Sequence, residues 1–214
     1  MREVRDKAHA IMVNELVRVL EGKERVDSEI RLEVPFDSCG YKGVVDIVHS
    51  YTVLTNEPND RRIRFLDIYE LKTEIQDVGG ALRQFNIYKE YLPKWFEKER
   101  ALEPIFCMLN HFVLLSTKQN VNIILEFLPS FKGVLTDSVS EWEVIGLRKL
   151  AFGELPKTSW AYLLLFNPLN PDPSFPRVDL NKPKRELGSE LLSVAPFKDR
   201  KDFLQSYRKS RQDR

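Results

Sequence analysis

Three apolar segments separated by short polar turns, all following one amphipathic helix, set the first limit on what this chain can fold into. Ser28–Val34 alternates, with Ile30, Leu32 and Val34 set against Glu29, Arg31 and Glu33. That two-residue period belongs to a strand with one solvated face. Asp37–Gly43 has turn composition and leads into a second strand, Val44–Leu54. Asn56–Arg62 is another polar turn, so Ile63–Lys72 returns as a third strand. Neighbours joined by hairpins pair antiparallel, which predicts a three-stranded meander after the helix.

The third strand carries the chemistry. Leu66, Ile68, Glu70 and Lys72 share one face, and Phe65, Asp67, Tyr69 and Leu71 share the other. A carboxylate and an ammonium at the end of an apolar run must be paired, solvated or bound, because burying either alone is costly. Asp46 interrupts the second strand in the same way. Thr73–Gly80 reads as a loop into a helix over about 80–92, with Ala81, Phe85, Tyr88 and Leu92 as its apolar stripe and Gln84 at the border. In the leading helix, Glu3–Leu20, the residues Val4, Ala8, Ile11, Met12 and Val19 form a stripe with Glu15 in its middle. Two readings of Glu15 stand: an ion pair with a buried Arg or Lys, or a carboxylate projected toward Asp46, Glu70 and Lys72. His9, at the stripe's edge, reads as a half-exposed helix residue.

Carboxylates converging beside an ammonium suit a hard divalent cation, and Mg²⁺ (or Mn²⁺) needs only two carboxylates, a carbonyl and waters. Such a cation polarises a phosphoryl oxygen and lowers the pKa of bound water. Lys72 orients the water or offsets charge, and Gln84 adds a hydrogen bond. This is chemistry for cleaving a phosphodiester.

Gly43-Val-Val-Asp46 on a strand, a hairpin to Glu70-Leu-Lys72, then a helix with Gln84-Phe-Asn-Ile-Tyr88 resembles the PD-(D/E)XK nuclease superfamily. The first and last pieces look most like its RecB-type exonuclease branch. Glu15 ahead of the strands is similar to the helix acid of archaeal Holliday-junction resolvases. The resemblance covers about 1–92, with Phe112–Leu128 completing a core over 1–130. It implies an α/β, restriction-endonuclease-like fold: a mixed central sheet flanked by helices in the order αβββαβ. It implies metal binding by Asp46, Glu70 and the Leu71 carbonyl, catalysis by Lys72, and supporting roles for Glu15 and Gln84. The implied activity is a metal-dependent DNA nuclease acting on DNA ends or branched DNA, as a homodimer or within a larger recombination or repair assembly. The alternatives are a catalytically silent DNA-binding or scaffold member of the fold, and plain ion pairs in an unrelated α/β domain. Val45 stands where many members of the superfamily carry proline, and the iron–sulfur cysteines of part of the RecB-type branch are absent.

Pro93 reads as a kink or end of its helix, and Trp95–Leu102 as a polar continuation. Phe112–Ser116 is a fourth strand and Lys118–Leu128 a helix; Trp142–Leu150 and Trp160–Phe166 are further strands added over 131–166. From Asn167 to the end, Pro168, Pro171, Pro173, Pro176 and Pro183 suggest an extended arm, followed by a basic tail with a short helix around Phe203 and Tyr207. A net charge of +1 excludes a uniformly basic protein, so any nucleic-acid contact must be local. Cys39 and Cys107 form no ligand or disulfide pattern and suit a reducing, cytoplasmic setting. No apolar run reaches the ~18 residues of a membrane span, and no secretory leader is seen. His9, His49 and His111 lack a zinc-site spacing, and no phosphate-cradling glycine loop or nucleophile elbow occurs.

Overall fold

The apolar periodicities resolve into alternating strands and helices in the computed structural model, which describes residues 7–23, 25–38, 40–54, 62–99, 105–135, 158–171 and 178–212. Helix α1 (Lys7–Glu21) leads into strands β1 (Val26–Ser38), β2 (Tyr41–Leu54) and β3 (Arg62–Lys72). Helix α2 (Val78–Glu99) crosses to β4 (Ile105–Leu115), followed by α3 (Lys118–Glu126) and α4 (Leu128–Val134). Strand β5 (Thr158–Phe166) and helices α5 (Lys184–Ser193) and α6 (Arg200–Gln212) complete the chain.

The five strands form one sheet in sequence order. β1, β2 and β3 make the expected antiparallel meander, while β4 lies parallel to β3 and β5 parallel to β4. A parallel pair needs a crossover, and α2 supplies the one between β3 and β4. Strands in the parallel half are covered on both faces, so every residue of β4 from Leu109 to Leu115 is buried. On one face α2, α3, α4 and α5 enclose Phe85, Phe112, Leu163 and Leu187. On the other, α1 and α6 cover Ile47, Tyr69, Leu71, Val113 and Leu164. The result is an α/β fold with a mixed sheet between two helical layers.

Several elements differ from the sequence expectation for local reasons. The first hairpin closes between Ser38 and Tyr41, with Gly40 at φ +84°. Gly43 has no alternative there, because a Cβ would lie 2.6 Å from the Phe36 ring. Helix α2 passes through Pro93 and runs on to Glu99. The helix expected over 118–128 divides at Phe127: Thr117 caps α3 by accepting the Asn120 N–H, and Pro129 opens α4, where the missing N–H costs nothing. The Trp142–Leu150 strand and residues 56–61 of the second polar turn lie outside the described residues, and Arg62 already belongs to β3.

From residue 178 on, the structure corrects the expectation of an extended arm. Val178, Leu180, Leu187 and Leu191 join the α2-side core. Phe197 and Phe203 join the α1-side core. Leu187/Leu191 and Phe203/Tyr207 are spaced four apart, so each short helix presents an apolar edge to the sheet layers. Pro183 is the cap that starts α5, so here proline marks a turn and not a polyproline rod. Backbone bonds from Lys118 N to Phe197 O and from Gln119 N to Lys198 O, and a side-chain bond from Ser116 Oγ to Val194 O, fasten this segment to the start of α3.

Phe203 is fully buried, whereas Phe127 is 40% exposed. Phe203→Ala is expected to cost about 3–5 kcal/mol in urea unfolding, and Phe127→Ala to stay within about 1 kcal/mol of the parent.

Candidate active site

The ladder between β2 and β3 ends at Ile47↔Tyr69, whereas the ladder between β1 and β2 continues to Ser38↔Tyr41. β2 therefore leaves β3 at Asp46. Side chains two apart on a strand should share a face, yet Ile47 packs under α1 and Val45 packs with Tyr88 of α2. On β1, Ile30 and Val34 divide between the same two clusters. Between them stands Glu33 at φ +53°, flanked by the pairs Leu32↔Ile47 and Val34↔Val45. A left-handed non-glycine residue costs about 1–2 kcal/mol. The strain accompanies a local roll of both strands, which turns the Asp46 side chain into the gap that β3 has left. There Asp46 Oδ2 accepts the Leu71 N–H at 2.8 Å, satisfying a backbone donor that has lost its ladder partner.

Glu70 lies on the α2 side of β3 and is 4% exposed; Asp46 is 8% exposed. Lys72 Nζ donates to Glu70 Oε1 at 2.6 Å, and Gln84 Nε2 donates to the same oxygen at 2.8 Å. The Tyr88 hydroxyl donates to Glu70 Oε2 at 3.1 Å and receives a bond from Gln84 Nε2 at 2.7 Å. Gln84 and Tyr88 are four apart on α2, so one helix face delivers both donors. Burial, and then the Asp46 charge, push the Glu70 carboxyl up to about 7, against the pull of Lys72 and Tyr88. Burial and the Glu70 charge raise the Tyr88 phenol above its ordinary value, which keeps it a donor.

Of the residues singled out from sequence, Asp46, Glu70, Lys72 and Gln84 meet here, with Leu71 contributing backbone. Glu15 does not join them. It accepts from Arg211 at 3.2 Å, from the Tyr207 hydroxyl at 3.2 Å and from Arg18, tying α1 to α6. Glu15 is thus ion-paired, but with the exposed Arg18 and Arg211 and not with a buried cation. The α1 side chain that reaches the site is His9, whose Nε2 is 3.2 Å from Asp46 Oδ2. Six positions separate His9 from Glu15, so they point about 120° apart around the helix and lie about 9 Å apart along it.

A second polar cluster on the α1 face was not legible as such. Asp67 is buried with Tyr69 OH at 3.3 Å, His111 Nε2 at 3.8 Å and Arg25 NH1 at 4.0 Å. Burial raises its carboxyl, but His111, Arg25 and His49 together hold it below the ordinary value. His49, also buried and bonded to Ser28 Oγ at 2.9 Å, is lowered to about 4 by burial, with Asp67 opposing. The only sequence signal was an acid flanked by apolar residues mid-strand, which a solvated face would also produce.

Among the described residues, no three His, Cys, Asp or Glu side chains form a metal-holding group. A cation at the gap would rest on Asp46, Glu70, the Leu71 carbonyl and water. Two buried carboxylates that repel one another fit that role for a hard divalent ion. No helix among the described residues is long and apolar enough to cross a membrane. No family model, curated protein or solved structure matches the chain.

Glu70 has an ordinary value of 4.5 and titrates near 7 in the fold, so the folded state holds this proton more tightly. The stability it lends is full below about 4.5 and is lost as pH rises through 7, up to roughly 3 kcal/mol. Melting temperatures measured over that window should fall for the parent and flatten in Glu70→Gln. Mg²⁺ or Mn²⁺ should restore stability at the alkaline end in the parent alone.

Proposed function

We propose that this protein is a divalent-metal-dependent deoxyribonuclease that hydrolyses phosphodiester bonds at DNA ends or branch points. One observation carries the reading: two buried carboxylates, Asp46 and Glu70, flank the parting of β2 and β3, with the Lys72 ammonium on Glu70 at 2.6 Å. The order α1-β1-β2-β3-α2-β4, with β3 and β4 parallel, supports it, as it matches the αβββαβ order of the PD-(D/E)XK fold.

A bound Mg²⁺ or Mn²⁺ supplies a Lewis acid at the phosphoryl oxygen and a more acidic water. The chain's own groups do the rest. Asp46 is held against movement by Leu71 N–H and His9. Glu70 must be ionised to hold a cation, so cleavage should rise with pH up to about 7. Gln84 and Tyr88 fix the Glu70 carboxylate from the α2 side, which leaves its orientation independent of substrate. Lys72 is a third exposed, so its ammonium can face a phosphate while bonded to Glu70. There it orients the attacking water or offsets charge growing on the phosphoryl oxygens.

A second reading has its own observation. Both Glu70 oxygens already have protein donors, a self-sufficient network that a silent DNA-binding member of the fold would also keep.

Labelled single-stranded, duplex, flap and four-way-junction DNAs, incubated with Mg²⁺ or Mn²⁺, decide between them. Glu70→Ala and Lys72→Ala are expected to lower cleavage at least ~100-fold; no cleavage of any substrate by the parent protein overturns the nuclease reading. The same assay separates the two α1 residues. His9→Ala should lose roughly tenfold in rate. Glu15→Gln should stay within about twofold while lowering the melting temperature, because two of its partners, Tyr207 and Arg211, belong to α6.

A further inference from the structure

A groove of about 280 Å³ opens beside Glu70, between the β1–β2 hairpin and α2. Its helix wall is Gly80, Arg83, Gln84, Ile87 and Tyr88, the spacing of a single α-helical face. Gln84 and Tyr88 are the residues that hold Glu70, so two members of that network line the groove. Its hairpin wall is Phe36, Tyr41 and Gly43. Val34, Phe36 and Val45 face α2 and Gly43 pairs with Phe36, so the alternate Lys42 and Val44 line the groove through backbone, with Lys42 paired to Asp37 on the opposite face of the hairpin. Tyr41 shares the Gly43 face and is 42% exposed, an aromatic surface at the rim. Arg83 stands exposed on the helix wall.

An aromatic rim, apolar walls and a flanking cation, beside the donors that hold Glu70, combine the parts of a single-strand nucleic-acid site: a stacking platform beside a positive contact. A continuous duplex offers no base face for Tyr41, and the groove sits at the small end of ligand-sized cavities, about 300 Å³. The chain's net charge of +1 leaves steering to local cations such as Arg83. We propose that this groove seats one unpaired nucleotide next to the bond to be cleaved, its base on Tyr41 and its phosphate on Arg83. Single-stranded or frayed DNA is then preferred over continuous duplex. The inference takes its polymer from the nuclease reading, but its test does not depend on turnover.

Fluorescence anisotropy in Ca²⁺ buffer would compare a labelled single strand of roughly 12 nucleotides with a blunt duplex of the same length. The single strand is expected to bind more tightly. Tyr41→Ala should weaken it about tenfold while Tyr41→Phe retains it. Arg83→Gln should weaken it and reduce the salt slope by about 0.7, the loss of one phosphate contact. Unchanged melting temperatures keep these variants interpretable. Equal binding of duplex and single strand, parental affinity in Tyr41→Ala and Arg83→Gln, or no binding of either DNA overturns the proposal. Failure of the nuclease reading is a separate result: single-strand binding that responds to both variants, with no cleavage in Mg²⁺ or Mn²⁺.

Discussion

The bond from Leu71 N–H to Asp46 Oδ2 is the constraint on which the rest of the site depends. Strands that part inside a sheet strand their backbone donors, and a buried donor without an acceptor costs about 1–3 kcal/mol. By taking the Leu71 N–H, Asp46 makes the parting tolerable and in the same step becomes fixed beside Glu70. Neither carboxylate could be buried so deeply alone. Asp46 is retained by a backbone amide and His9, and Glu70 by Lys72, Gln84 and Tyr88. The left-handed Glu33 on the neighbouring strand belongs to the same adjustment, because both strands change faces at that point.

Around this point the molecule keeps stability and chemistry on different elements. The parallel half of the sheet, β3 to β5, is buried on both sides and holds the two larger apolar clusters together. The β1–β2 hairpin projects from the other end with exposed apolar residues and the groove along its flank. Helix α6 closes the α1 layer through Phe203 and the Tyr207–Arg211–Glu15 contacts. Glu15 thus serves a long-range docking, with two of its partners, Tyr207 and Arg211, nearly two hundred residues away in sequence.

Legibility followed the range of the physical signal. The face shared by Glu70 and Lys72 came from strand alternation, and the Gln84–Tyr88 pair from helix spacing; both are local and both place their side chains as read. The meander was legible from its turns. Glu15 was not, because the true buried face of α1 runs through Ala8, Met12, Leu16 and Leu20, leaving Glu15 at a border that only α6 defines. The tail misled for a related reason. Helix α6 buries Phe203 fully and Leu204 and Tyr207 in part, among otherwise polar residues, so its composition is that of a solvated end. His9 and Asp67 owe their roles to neighbours brought in by strand register and by the roll at Asp46, neither of which leaves a periodic trace.

The roll at Asp46 and Glu33 has a mechanical consequence. Asp46 is gripped by His9 from the α1 layer, whereas Glu70 is gripped by Gln84 and Tyr88 from the α2 layer. The two carboxylates are therefore suspended from opposite sides of the sheet and meet only through the slot between β2 and β3. Sliding either helix layer over the sheet alters the span between them, so the site works as a calliper whose arms are α1 and α2. Anything lodged against α2 on one side, or any loosening of α1 on the other, is felt as a change in that opening.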